Sequence, residues 1–513
     1  MNTPSWQRWC ERILFLIGLL VLVHPVLSHR FFFTVDGPAH VYNASLILQG
    51  LAGSAREGAG WEWNPVPVPN WLGHALLAVL LIPFKAPEAL KIVHLLYLIA
   101  LPLALRALAM QHAPGPPWSA HLILPIVVQV PFSLGFYNFC LGLVLFVLVV
   151  QQVHRINAHA RNVMVYALLA LLMVLLYFSH LVPFAFALVW LAARMFALVL
   201  DGRRVTGKLD ITLRTHLARL TAAIVPSLLL SAWYYFGQDP METWAPPPDR
   251  LMLLYRSFLL VDFSSELFLW AATVGSMLLL LLGSIAARRA QVERSWTTRF
   301  FEPGIVVVAL VLQVLLPNDH GKGSDILMRM AILTHLCVMF WLIALPQRGL
   351  RAAWASPIVL AILVSQQVVR QRDQGRKNER LSACYSIANG VVAGSSVAFI
   401  SFDWLDAHLP ELAFADRAVL DLSNYEFINP HFPLRWSDGT MAARANAPAH
   451  PLDLLEPWSN VPGALLIGAD HILVVGSPQN DAQRQALDLL RSHLHATHQE
   501  EKSNGVCALY SLR

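Results

Sequence analysis

Ten runs of mostly apolar residues crowd the first 371 positions of this chain, at 9–26, 87–110, 136–153, 163–178, 181–200, 220–236, 267–287, 304–316, 326–345 and 356–369. A helix needs roughly 20 apolar residues to cross the hydrocarbon core of a bilayer, and most of these runs come close to that length. Hydrophobic residues make up 56% of the 513 and charged residues 13%, a balance that leaves a water-soluble fold short of polar surface. The chain therefore reads as a polytopic membrane protein. Two shorter stretches, 71–84 and 121–134, are ambiguous as spans. The first run lacks a small-residue cleavage site and is read as a retained helix, not a removed signal peptide.

Orientation follows from the basic residues, which are enriched in cytoplasmic loops. Five loops, around Arg8, Arg155, Arg203, Arg288 and Arg348, hold 15 Lys and Arg, against five in the three loops left on the other side (Arg30, Arg56, Arg250, Arg256 and Lys322). The N-terminus is thus expected inside, and Asp36, His180, the Pro-rich loop after Phe236, the loop 319–325 and everything after Arg370 outside. With the N-terminus and Arg155 both inside, only one of the two ambiguous stretches can cross, which gives about eleven transmembrane helices. Lys85 and Lys91 favour an inside turn after Phe84, whereas Pro125, Pro131 and Gly135 make 121–134 the more easily broken helix.

The charge balance changes sign near residue 371. Residues 372–513 carry 11 Lys and Arg against 16 Asp and Glu, and the part before them 26 against 16. This divides the chain into a membrane domain, 1–371, and an extracytoplasmic domain, 372–513. The second part alternates strand-like runs (396–402, 418–422, 472–475, 506–512) with a helical pattern at 481–495, as a small α/β domain would. The fold class is thus mostly α, a membrane helix bundle with a small C-terminal α/β domain on the outer face. Cys384 and Cys507 both fall in that domain, where an oxidising compartment permits a disulfide.

Polar chemistry is concentrated at a few points. Phe31-Phe-Phe-Thr-Val-Asp-Gly-Pro-Ala-His40 places Asp36 and His40 just beyond the first span. Asp36, followed by Gly37 and Pro38, suits the N-cap of a helix over 39–51, but a cap does not need His40, four positions on, nor Tyr42 and Asn43 beside it. The carboxylate is a candidate general base or metal ligand, so a divalent cation is the one cofactor considered. His180, in the turn before Pro183, competes with a plain interfacial histidine that bonds a freed carbonyl. Tyr137 and Asn138 are expected at the same outer level and in the same cavity. In Asn318-Asp-His-Gly-Lys-Gly-Ser-Asp-Ile-Leu-Met-Arg329, Lys322 and Arg329 can meet a phosphate, or Arg329 can pair with Asp325 on one helix face.

An acidic residue in the first outer loop, many spans and an outer C-terminal domain together resemble the C-type glycosyltransferase superfamily, which includes protein O-mannosyltransferases and the aminoarabinose transferases of lipid A. The resemblance implies a sugar taken from a polyprenyl-phosphate carrier on the outer face of a bacterial inner membrane, with Asp36 as the catalytic carboxylate and His40 orienting it or the acceptor. Tyr42, Asn43, Tyr137, Asn138, His180, Lys322 and Arg329 are then the substrate-binding candidates. Asp-Gly-Pro-Ala-His stands where better-known members carry an acidic doublet. Asp36-Gly-Pro-Ala-His-Val-Tyr-Asn43, Leu134-Gly-Phe-Tyr-Asn-Phe139, Asn424-Tyr-Glu-Phe427 and His431-Phe-Pro-Leu434 also resemble a subfamily of uncharacterised bacterial membrane proteins. A flippase of lipid-linked saccharides and a non-catalytic subunit of an envelope-polysaccharide complex are the competing classes. Membrane lipids are expected partners, and nucleic acid is not.

Overall fold

The computed structural model describes residues 5–53, 60–112, 115–158, 162–206, 211–236, 242–261, 263–288, 296–320, 324–345, 349–429, 431–437 and 469–513. In chain order the helices are α1 (Ser5–Ser28), α2 (Gly37–Leu51), α3 (Trp71–Leu80), α4 (Ala86–His112), α5 (Val130–Leu134), α6 (Tyr137–Ala158), α7 (Val163–Ser179) and α8 (Leu181–Thr206). There follow α9 (Ile211–Tyr235), α10 (Pro247–Arg256), α11 (Phe263–Arg288), α12 (Trp296–Leu315), α13 (Ile326–Ala344), α14 (Gly349–Ala388), α15 (Glu411–Phe414) and α16 (Asp481–Thr497). The strands are β1 (Trp61–Trp63), β2 (Glu242–Thr243), β3 (Asp319–His320), β4 (Ser396–Ser401), β5 (Leu420–Asp421), β6 (Leu434–Trp436), β7 (His471–Val475), β8 (His498–Ser503) and β9 (Cys507–Leu512).

Among the described residues seven helices, α1, α4, α6, α8, α9, α11 and α13, are long and apolar enough to cross a membrane. The apolar helices Val163–Ser179 and Phe300–Leu315 are shorter. Neither ambiguous stretch forms a long helix. Residues 71–84 yield only the 10-residue α3, which at 1.5 Å per residue is about 15 Å long, half the hydrocarbon thickness. In 121–134 the prolines break the α-helical ladder, leaving a 3-10 helix over Trp118–Ile126 followed by α5.

The chain divides into two compact units, Met1–Pro25 with Leu95–Phe132 and Tyr137–Arg372, and Val26–His94 with Ser133–Phe136 and Asp373–Arg513. In the first, buried charges are matched between helices. Glu11 of α1 accepts from Arg106 of α4 at 2.6 Å, and Glu266 of α11 from Arg370 of α14 at 3.0 Å. Tyr97 of α4 donates to the carbonyl of Val127 at 2.9 Å, satisfying backbone that the broken 118–126 helix leaves open. Two polar segments pair as β2 and β3, Glu242 opposite His320 and Thr243 opposite Asp319.

The second unit joins residues 26–94 to the tail. Its sheet has the order β5-β4-β7-β9-β8, parallel across β5, β4 and β7 and antiparallel across β7, β9 and β8. β4 is buried on both faces, as a central strand must be. Leu490 and Leu494, one turn apart on α16, cover the face carrying Ala398, Ile400, Ile472 and Val474. Asn480 caps α16 by accepting from the Gln483 amide. A disulfide links Cys384 of α14 to Cys507 of β9. β1 from the first loop pairs with β6 from the tail, Trp61 opposite Trp436.

A candidate site built on the segment after the first helix and the tail

Local sequence sets the position of Asp36. The amides of Val35 and Asp36 donate to the carbonyls of Ser133 and Leu134, at 3.1 and 2.8 Å, like a short piece of ladder. Gly135 follows with φ +91°, and a Cβ there would lie 2.8 Å from the Gly37 nitrogen. Only glycine allows this backbone approach. Asp36 occupies the N-cap of α2 with Pro in the first turn, yet its side chain makes no capping bond. The carboxylate turns instead toward the tail, where the Tyr425 hydroxyl donates to it and His408 Nε2 lies 3.9 Å away. Its side chain keeps 17% exposure.

Around it is an unusual density of buried ionisable groups. Burial raises the Asp36 pKa against the opposing pull of His408 and His40. Burial also lowers that of His408, whose Nδ1 meets Glu411 Oε2 at 2.9 Å. Glu411, on α15, lies against Asp421, on β5, and burial pushes both carboxyls well above the ordinary range. Two carboxylates in contact in an apolar setting resist ionising together, so this pair holds its proton more tightly than either carboxyl would alone.

The third component is Glu426, in the 3-10 turn Tyr425–Ile428, between two histidines. Its Oε1 meets His40 Nδ1 at 2.5 Å and its Oε2 meets His74 Nε2 at 2.9 Å. Burial alone would raise the carboxyl, but His74 and His40 outweigh it and hold Glu426 well below the usual carboxylate range. Burial likewise opposes a charged His40, and the Glu426 carboxylate reverses this, raising the imidazole. The three side chains are buried, and their ligand atoms lie within 4.8 Å of one another, the spacing of a metal-binding triad.

The sequence candidates divide between the units. Asp36, His40, Tyr42 and Asn43 come together in the second. Tyr42 and Asn43 are buried and use their polar atoms within the fold. The Tyr42 hydroxyl donates to the Val419 carbonyl at 2.9 Å and accepts from the Asp421 amide at 3.0 Å. Asn43 exchanges side-chain amide bonds with Asn424, and the Asn424 oxygen also accepts from the Glu426 amide.

Tyr137, Asn138, His180 and Arg329 belong to the first unit. Tyr137 and Asn138 are buried, and the Asn138 carbonyl accepts from Ser179 at 2.6 Å. His180 lies edge-on to Phe139, and its Nδ1 accepts from the Val182 amide at 3.1 Å, which serves the start of α8. The guanidinium of the buried Arg329 donates to the Ser324 carbonyl. Lys322 lies outside the described residues.

His74, His408, Glu411 and Asp421 were not marked by sequence reasoning, and Tyr425 and Glu426 entered only within the phrase Asn424-Tyr-Glu-Phe427, with no role assigned. His74 sits in a stretch that reads as a span. Glu426 carried a signal in that phrase, but nothing local names its partners. Compared with known proteins, the chain matches no family model and no curated protein.

Proposed function

We propose that the chain is a membrane glycosyltransferase that moves a sugar from a polyprenyl-phosphate carrier to an envelope acceptor, with Asp36 as the general base. The observation that carries this reading is the Asp36 carboxylate itself, freed from capping and turned, partly open, toward His408 and Tyr425. A base of raised pKa at such a point can take the proton of an incoming hydroxyl or amine while the lipid phosphate departs from the opposite side of the sugar, an inverting transfer. Tyr425 donates to Asp36 and His408 lies beside it, so the charge that Asp36 carries before transfer and loses after it is met at both stages by adjustable polar groups. Glu411 and Asp421, sharing a proton, limit the negative charge around it.

The membrane path belongs to the same proposal. α1, α4, α6 to α9 and α11 to α14 cross, and residues 118–134 form the eleventh crossing. Nine residues of 3-10 helix at about 2 Å per residue, three linking residues and the five of α5 reach roughly the 30 Å required. Residues 118–128 are buried in protein, where non-helical backbone at membrane depth is tolerated. This path keeps the N-terminus cytoplasmic and the tail on the outer face of a bacterial inner membrane, where the Cys384–Cys507 bridge suits an oxidising compartment.

The test is reconstitution of the pure protein with a lipid-linked sugar and an acceptor extract. Asp36→Asn is expected to abolish glycosidic product while the protein stays inserted and folded. Near-normal transfer by that variant overturns the assignment, and carrier translocation with no product at all favours a flippase.

A further inference from the structure

His40, His74 and Glu426 reach one point from three separately anchored elements. His40 is in the first turn of α2, its amide bonded to the Asp36 carbonyl at 2.9 Å, so the Gly135 contact that fixes Asp36 fixes this imidazole too. His74 is in the first turn of α3, behind Asn70 in the left-handed region at φ 67°. Glu426 is held by Asn424, itself held by Asn43. A constellation whose backbone is tied down on every side needs little rearrangement to receive a ligand.

The proton count at His74 points to a cation. His74 Nδ1 lies 2.9 Å from the Asn70 carbonyl, which can only accept, so the Nδ1 proton is committed there. A neutral His74 then presents a lone pair from Nε2 to the Glu426 oxygen at 2.9 Å, and two lone pairs at that distance repel. Something positive must lie between them, either a second proton or a metal ion. The Nδ1-to-carbonyl bond is also how metal-bound histidines are commonly oriented, with one nitrogen fixed by a backbone oxygen and the other presented as a ligand.

Surroundings and ligand chemistry favour the metal. Phe432 stands against both imidazoles, at ring distances of 6.1 Å from His40 and 5.7 Å from His74, forming an apolar wall. Two imidazoles and a carboxylate suit zinc and its first-row neighbours, whereas magnesium and calcium prefer oxygen ligands throughout.

We propose that His40 Nδ1, His74 Nε2 and Glu426 bind one divalent first-row transition-metal ion, Zn2+ foremost, leaving a coordination position open to an oxygen of water, phosphate or a hydroxyl. Three protein ligands and an open position are the arrangement of catalytic rather than structural zinc. The inference rests on the triad's geometry and is independent of whether the protein transfers sugar.

The experiment uses the full-length protein in detergent, stripped with a chelator and titrated with Zn2+ or Co2+. One tightly bound ion per chain is expected, and the Co2+ form should show the visible absorption of a four- or five-coordinate site. His40→Gln/His74→Gln should lose this stoichiometric ion, and Glu426→Gln should bind at least tenfold more weakly. An intact Cys384–Cys507 disulfide and a monodisperse elution profile establish that the variants are folded. Unchanged binding in a folded His40→Gln/His74→Gln protein, or no stoichiometric binding by the wild type, overturns the proposal. If the variants do not fold, X-ray absorption of the zinc-loaded wild type decides. Two imidazole nitrogens in the coordination shell support the site, and a shell without imidazole refutes it.

Discussion

The Asp36 amide donates to the Leu134 carbonyl at 2.8 Å, so the residue that opens α2 is held in place by a segment lying far along the sequence. That bond depends on close backbone contact at Gly135. Gly135→Ala would place a methyl 2.8 Å from the Gly37 nitrogen and 3.0 Å from the Asp36 nitrogen, and would strain a residue at φ +91°. Backbone atoms cannot swing aside as a long side chain can. The strain alone is of order 1 to 3 kcal/mol, and relief requires Asp36 to move. The expected outcome is a lower melting temperature together with a fall in any Asp36-dependent activity larger than the stability loss explains. Wild-type activity and melting in Gly135→Ala would show that the contact does not position Asp36.

A pH dependence follows from Asp406. Burial raises this carboxyl from near 3.8 to about 6, Arg380 and Lys377 pulling the other way and Asp403 adding to the rise. A carboxyl with a raised folded-state pKa binds its proton more tightly in the folded protein. Its contribution to stability is therefore complete below the unfolded pKa and is lost as pH rises through about 6. Asp406→Asn removes the titration. Between pH 5 and 7 the melting temperature of the wild type should decline relative to that of Asp406→Asn, and a relative rise over that interval would contradict the shift. The test is a pair of melting curves across pH.

What the sequence disclosed and what it hid follow from the range of the interactions. Apolar runs declare themselves locally, so α1, α4, α8 and α13 were legible, as were β4, β7, β9 and α16, whose alternation or 3.6-residue period is written in adjacent residues. β8 was not, because His498–Ser503 is a polar edge strand whose pairing depends on β9. Asp36 and His40 stood out as polar residues at the end of an apolar run. Their partners did not, since Glu426 and His408 lie almost four hundred positions away and the tail alone offers many acidic residues. Tyr42 and Asn43 looked like ligand contacts for the same reason that they matter to the fold: they are polar groups in an apolar helix, and their hydrogen bonds go to Val419 and Asn424.

The Cys384–Cys507 bridge closes a loop of sequence separation 123 within the second unit. A crosslink of that length mainly restricts the unfolded chain, and removing a native one costs roughly 2 to 5 kcal/mol. Cys384→Ser/Cys507→Ser should melt at a distinctly lower temperature than the oxidised wild type and match the wild type held in reductant. If reductant lowers the melting temperature of the double variant just as much, the effect comes from another source. Peptide mapping without reductant should recover the two cysteines as one linked pair.

The proposed membrane path can be tested with single cysteines. After Cys10, the exposed free thiol, is replaced by serine, a reporter at Asp488, exposed on α16, and one at Arg203, exposed near the end of α8, should lie on opposite faces. The basic loops place Arg203 inside, and an odd number of crossings places Asp488 outside. A membrane-impermeant maleimide added to intact cells with a permeabilised outer membrane should label Asp488→Cys and spare Arg203→Cys until the inner membrane is opened. Protection of both reporters would mean an even number of crossings between them, removing from the path one of the helices that follow Arg203, of which α12 has the shorter apolar run. Labelling of Arg203→Cys alone would mean either that residues 118–134 or α7 does not cross, or that the whole arrangement is inverted, and only inversion would place Asp36 in the cytoplasm, out of reach of an outward-facing polyprenyl-phosphate sugar.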